Sequence, residues 1–169
     1  MKNEIRDFLS NIKYEYFCFL KNNARFFPKC CVDSTLILKY FIKEYFGEDY
    51  DIIKASKKHF NNKAKFHIWL EKDDFIIDFT LFQFYVGANK FKKISDEESY
   101  DYCIDEIQRG DIVFSKEYYQ KMFLDYEDPD VNWFLQQYNK SPWEKTIDLS
   151  IPPKESFLKY LSECEEIVK

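Results

Sequence analysis

The 169-residue chain has the length of one domain, and 46% hydrophobic against 33% charged residues is a globular balance that excludes a disordered chain. Its 18 Phe and 13 Tyr are unusually many, so aromatic rings should supply most of the buried area. A net charge of -5 speaks against a concentrated phosphate-binding face, and no nucleic acid partner is expected.

From Asn3 to about Asn22 the apolar residues Ile5, Phe8, Leu9, Ile12, Tyr16, Phe19 and Leu20 recur at helical spacing, which predicts a first helix with one buried stripe. Asn22-Asn23 and Pro28 break that pattern. A second helical set, Thr35, Leu38, Phe41, Ile42 and Tyr45, then runs to Gly47. Cys30 and Cys31 therefore fall at a helix N-terminus.

After the loop Gly47 to Asp51, three stretches have strand character: Ile52 to Ala55, Lys65 to Glu71 and Phe75 to Phe79. Lys72-Asp73-Asp74 separates the last two and reads as a hairpin turn. Alternation puts His67, Trp69 and Glu71 on one face of the first hairpin strand and Phe66, Ile68 and Leu70 on the other, with Asp78 supplied by the second strand. Phe82 to Phe91 can add another strand. Ser95-Asp96-Glu97-Glu98 is a capping box, so a helix is expected from there to about Gln108. Ile112 to Phe114 reads as a strand, Pro129 to Tyr138 as a short helix, and Pro153 to Val168 as a final helix with Phe157, Leu158, Leu161, Cys164 and Ile167 on one face. The order is α+β: a single domain over 1–169, with helices flanking a small, mostly antiparallel sheet, a core half at 1–85 and a helical and extended half at 86–169.

Met1 is followed by no apolar run long enough for a secretory segment or a membrane span, so a cytoplasmic protein without a membrane partner is expected. Five cysteines, an odd number without paired spacing, fit reduced thiols, and adjacent Cys30-Cys31 cannot form the tetrahedral set of a zinc site without partners elsewhere. Cys18, Cys103 and Cys164 read as buried apolar fillers. Asp125, Glu127, Asp128 and Asp130 lack the Gly and terminal Glu of a cation loop and read as a solvated turn. His59 sits in a polar loop. No metal and no cofactor are called for.

A thiol at a helix N-terminus is favoured as its anion by unpaired amides and the macrodipole. A neighbouring imidazole completes an ion pair with it, and a carboxylate fixes the imidazole tautomer. Cys31, His67 and Asp78 supply those three groups. Singly, each is more often structural: a buried thiol, a hydrogen-bonded core histidine, a turn aspartate. Their joint order is what points to chemistry.

The run Phe27-Pro28-Lys29-Cys30-Cys31, followed by His67-Ile68-Trp69-Leu70-Glu71 and Ile76-Ile77-Asp78-Phe79-Thr80-Leu81-Phe82-Gln83-Phe84, resembles the papain/transglutaminase-like cysteine enzymes of bacteria. Arylamine N-acetyltransferases are similar in sharing the order Cys, His, Asp. The resemblance covers about residues 26 to 85. It implies Cys31 as nucleophile, His67 as base and Asp78 as orienting acid, in a papain/transglutaminase-like fold. The chain departs from the pattern at Val32-Asp33, where similar proteins often have a small residue, and at Cys30, which is usually not Cys and stays a rival nucleophile. Trp69 can wall the cleft or pack beneath a helix. Gln83 can brace the site or bond a sheet edge. Asn23 can offer an oxyanion amide or cap a turn.

The implied chemistry is acyl transfer from a peptide, protein or small amide or acyl substrate, ending in hydrolysis, deamidation or transfer. The competing expectation is a catalytically silent binding, immunity or regulatory module. Its interaction surface would be the aromatic C-terminal half, with Tyr118-Tyr119, Phe123, Trp133-Phe134 and Trp143 exposed to a protein partner.

Overall fold

A computed structural model describes residues 2–23, 30–57, 67–80, 111–127 and 146–168. In chain order they form α1 (Lys2–Asn11), α2 (Lys13–Asn23), α3 (Cys31–Phe46), β1 (Asp51–Lys57), β2 (His67–Lys72), β3 (Phe75–Ile77), β4 (Val113–Ser115), α4 (Lys116–Met122), β5 (Phe123–Glu127) and α5 (Pro153–Val168). The protein is α+β. Its five-stranded sheet has the order β4-β3-β2-β1-β5, and every neighbouring pair is antiparallel.

The expected first helix is two. Ile12 separates α1 from α2, yet its amide still bonds the Phe8 carbonyl and its carbonyl accepts from Tyr16, so the ladder crosses the break. The apolar stripe keeps its register for that reason, and Ile5, Phe8, Leu9, Ile12, Tyr16, Phe19 and Leu20 are all buried. α3 ends at Gly47, whose φ of 72° is left-handed; its amide closes on the Lys43 carbonyl at 3.0 Å. Glycine takes that conformation without the Cβ clash other residues meet.

α1, α2, α3 and α5 pack on the sheet face that carries Ile52, Ile68, Leu70, Phe75 and Ile77. Aromatic rings join the helices in this layer: Phe8 to Phe41 at 5.2 Å, Phe41 to Phe157 at 4.8 Å and Tyr16 to Phe157 at 5.1 Å between centroids. Fully burying rings of this size contributes about 2–3 kcal/mol each. The other sheet face carries Ala55, Trp69 and Ile76, which pack with Tyr119 of α4 and Phe123, the first residue of β5.

The β2–β3 hairpin pairs Lys72 with Phe75 across the turn Asp73-Asp74, and Asp73 takes a φ of 55°, which a short polar side chain tolerates. The pairing of β1 with β5 shifts register between Lys54 and Ser56, a local irregularity of bulge type. α4 and β5 were not expected from the sequence, and Asp125 and Glu127, read there as a solvated turn, fall within β5. The strand expected at 82–91, the helices expected at 95–108 and 129–138, and Cys103, His59, Trp133, Phe134, Trp143, Asp128 and Asp130 lie outside the described residues. Among the described residues, no helix is long and apolar enough to cross a membrane.

Candidate active site

Cys30 is the N-cap of α3. Its carbonyl accepts from the Ser34 amide at 3.0 Å, while its side chain makes no capping bond. Cys31 is thus the first helical residue, where the opening amides of the helix lack intrahelical acceptors and carry the positive end of the macrodipole. The first turn is anchored from behind, because the Tyr16 hydroxyl donates to the Ser34 carbonyl (3.2 Å) and meets its Oγ at 3.0 Å. The two adjacent thiols both belong to the helical core and differ in exposure. Cys30 belongs to the helical core at 1% exposure, and burial pushes its thiol pKa well above the ordinary value, with the neighbouring Cys31 and Asp33 adding to the effect. Cys31 keeps 8%.

His67 opens β2 opposite Ala55 of β1, on the sheet face shared with Trp69. Its ring is completely enclosed. Phe123 stacks against it at 5.5 Å and 22°, and the Trp69 ring lies 5.8 Å away. Nε2 is 2.6 Å from Asp78 Oδ2, and the ring is also hydrogen-bonded to the Cys31 side chain. Since Nε2 is committed to the carboxylate, Nδ1 is the nitrogen left for the thiol. Burial alone would lower the imidazole pKa, but the charge and hydrogen bond of Asp78, followed by those of Cys31, outweigh it and raise the value to about 9.

Asp78 follows β3 directly and extends the ladder through its amide, which donates to the Ile112 carbonyl at 3.0 Å. Its carboxylate is bonded on both oxygens. Oδ1 accepts from the Thr80 amide (3.0 Å) and hydroxyl (3.3 Å), and Oδ2 accepts from the Tyr119 hydroxyl (2.6 Å) besides facing His67. These donors fix the orientation of the buried carboxylate and leave none of its oxygens without a partner.

Cys31, His67 and Asp78 are therefore brought together. Trp69 stands beside the imidazole and also packs under α4, with its ring 4.8 Å from Tyr119; its indole N–H donates to Glu71 Oε2 at 3.3 Å, and Lys116 pairs with Glu71 Oε1 at 3.1 Å. Asn23 ends α2, and its side-chain amide donates to the Phe19 carbonyl at 2.9 Å, a bond that belongs to the helix rather than to an oxyanion. Gln83 lies outside the described residues. The expected exposed aromatic surface is corrected in part: Tyr118 is exposed, but Tyr119 and Phe123 are buried against the site because α4 and the start of β5 cover the second sheet face.

Tyr119, expected as a surface aromatic, instead belongs to the site through its hydroxyl on Asp78. The signal for its element was Ser115 ahead of Lys116-Glu117, and Ser115 Oγ does accept from the Tyr118 amide as a helix cap. Among the described residues, no group of three or more His, Cys, Asp or Glu side chains is gathered as a metal site. Comparison with protein-family models, curated proteins and solved structures finds no match. The arrangement itself offers a thiol at a helix terminus, a proton on a buried imidazole, and a fixed carboxylate behind it, which are the parts of nucleophilic catalysis at a carbonyl.

Proposed function

We propose that the chain is a cysteine enzyme of papain/transglutaminase-like type, carrying out acyl chemistry on a peptide, protein or small amide or acyl substrate. The observation that carries this reading is the single imidazole of His67, bonded to Cys31 on one side and to Asp78 at 2.6 Å on the other.

In the first half-reaction the Cys31 thiolate adds to the carbonyl carbon and the C=O electron pair moves to oxygen, within reach of the opening amides of α3. The pair returns, the bond to the leaving group breaks, and imidazolium His67 gives that group its proton, leaving a thioester and a neutral imidazole. In the second half-reaction water or an amine gives a proton to His67 as it attacks the thioester, and the thiolate departs. Thiolate and imidazolium are restored, with a carboxylic acid or a new amide as product. A His67 value raised to about 9 keeps the imidazolium populated at neutral pH, as the first step needs.

The test is intact-mass spectrometry of the protein after incubation with a panel of activated thioesters and aryl esters. A single acyl adduct on the Cys31 peptide is expected, absent in Cys31→Ser. The full enclosure of His67, with only 8% of Cys31 exposed, favours a second reading: a silent binding or regulatory module of the same ancestry. No adduct on folded protein with any donor would support that module and overturn the enzyme.

A further inference from the structure

The carboxylate that orients His67 is itself held by a group distant from it in sequence. Tyr119 is fully buried, lies 41 residues beyond Asp78 in sequence, and donates its hydroxyl to Asp78 Oδ2 at 2.6 Å, the same oxygen that His67 Nε2 meets at 2.6 Å. Its ring is fixed on several sides, edge-on to Trp69 at 4.8 Å and near Phe123 at 5.3 Å and Phe114 at 5.3 Å, so the hydroxyl is aimed rather than free to rotate away. The opposite oxygen, Oδ1, is tied to Thr80. Thr80 sets one edge of the carboxylate and Tyr119 the other.

We infer that Tyr119 is a positioning residue of the site, a fourth member behind Cys31, His67 and Asp78 that keeps Oδ2 on the imidazole. One effect follows from removing the hydroxyl. A carboxylate held by Oδ1 alone can turn its second oxygen off the imidazole. The imidazole then loses the close negative charge that favours its protonated form, and His67 is less protonated. This geometry makes α4 part of the site: the segment Lys116–Met122 reaches the triad through Tyr119, and the next residue, Phe123, stacks on the imidazole.

A role in the reaction rests on the acyl-transfer reading, whereas the effect on His67 does not. The experiment is NMR titration of the imidazole signals, of which the chain has only two sets, in the full-length protein and in Tyr119→Phe, which keeps the ring and removes the hydroxyl. The titration midpoint of His67 is expected to fall by about 0.5 pH or more, a roughly threefold loss of proton affinity, with the acylation rate of Cys31 falling alongside. A purely packing role would leave that midpoint in place, and an unchanged or raised midpoint overturns the inference. If Tyr119→Phe does not fold, 3-fluorotyrosine at position 119 supplies a stronger donor of nearly the same volume; a raised midpoint supports the inference and an unmoved or lowered one overturns it. The two proposals separate cleanly. A shifted His67 in a protein whose Cys31 accepts no acyl group supports the positioning role while the enzyme reading fails. An acylated Cys31 with an unmoved His67 in the variant overturns the positioning role alone.

Discussion

His67 and Asp78 stand at the two ends of one hairpin, 11 residues apart in sequence, with Nε2 and Oδ2 2.6 Å apart and both side chains wholly removed from solvent. Burying an ion pair is costly, and this one persists because donors surround the carboxylate. Asp78→Ala would leave the Tyr119 hydroxyl, the Thr80 amide and the imidazole without their acceptor. The expected loss is about 3–5 kcal/mol of unfolding free energy, against roughly half of that for Asp78→Asn, which keeps a carbonyl acceptor. Urea titrations of the two variants check the ranking.

The same pair gives stability a pH dependence of definite sign. His67 has its folded value raised to about 9 from the ordinary 6.5 by the Asp78 carboxylate and the Cys31 side chain, so its contribution is complete below pH 6.5 and is lost as the pH rises through 9. Unfolding free energy should fall across that window by on the order of 3 kcal/mol from this residue. Denaturation at a series of pH values should show the fall in the wild type and a much flatter profile in His67→Gln.

Much of this was legible in the sequence, for identifiable reasons. Ile5 to Leu20 repeat at helical spacing, and Ile68 and Leu70 alternate with His67 and Trp69, so the helical layer and the two sheet faces follow from periods of 3.6 and 2. The Cys31 position followed from the break before α3 and the Gly47 stop after it. Tyr119 and Phe123 did not follow. α4 has 7 residues, too few to establish a period, and β5 pairs with β1 across a register shift and carries acids at Asp125 and Glu127 that look like a turn. Both of these aromatics are also brought to the site by long-range pairing, of β4 with β3 before α4 and of β5 with β1 after it, which no local pattern encodes.

The end of α3 offers a test independent of the site. Gly47 holds φ at 72°, and a Cβ there would have nothing within 4 Å, so Gly47→Ala meets only the cost of the left-handed backbone. A loss of about 1 kcal/mol is expected, and less for Gly47→Asn, since asparagine visits this region more readily. Thermal melts of both variants, with acylation of Cys31 unaltered, check it.

The two adjacent thiols should part in behaviour. Cys30 is in the helical core with its thiol pKa raised by burial, so it should resist alkylation in the folded protein and react only on unfolding. Cys30→Ala is expected to cost about 1 kcal/mol or less and to leave Cys31 reactivity intact. Peptide mapping after brief iodoacetamide treatment distinguishes them, and preferential labelling of Cys30 would transfer the nucleophile role to it.

The central claim is that Cys31 and His67 work as a pair. The most direct measurement is the rate of Cys31 alkylation by iodoacetamide across pH, followed by mass spectrometry, in wild type and in His67→Gln shown by circular dichroism to be folded. A working pair predicts rapid Cys31 alkylation already near about pH 6.5 and a loss of roughly tenfold or more in the variant at that pH. Equal rates in the two proteins, or a Cys31 that reacts in neither, would contradict it and leave the binding module as the reading that stands.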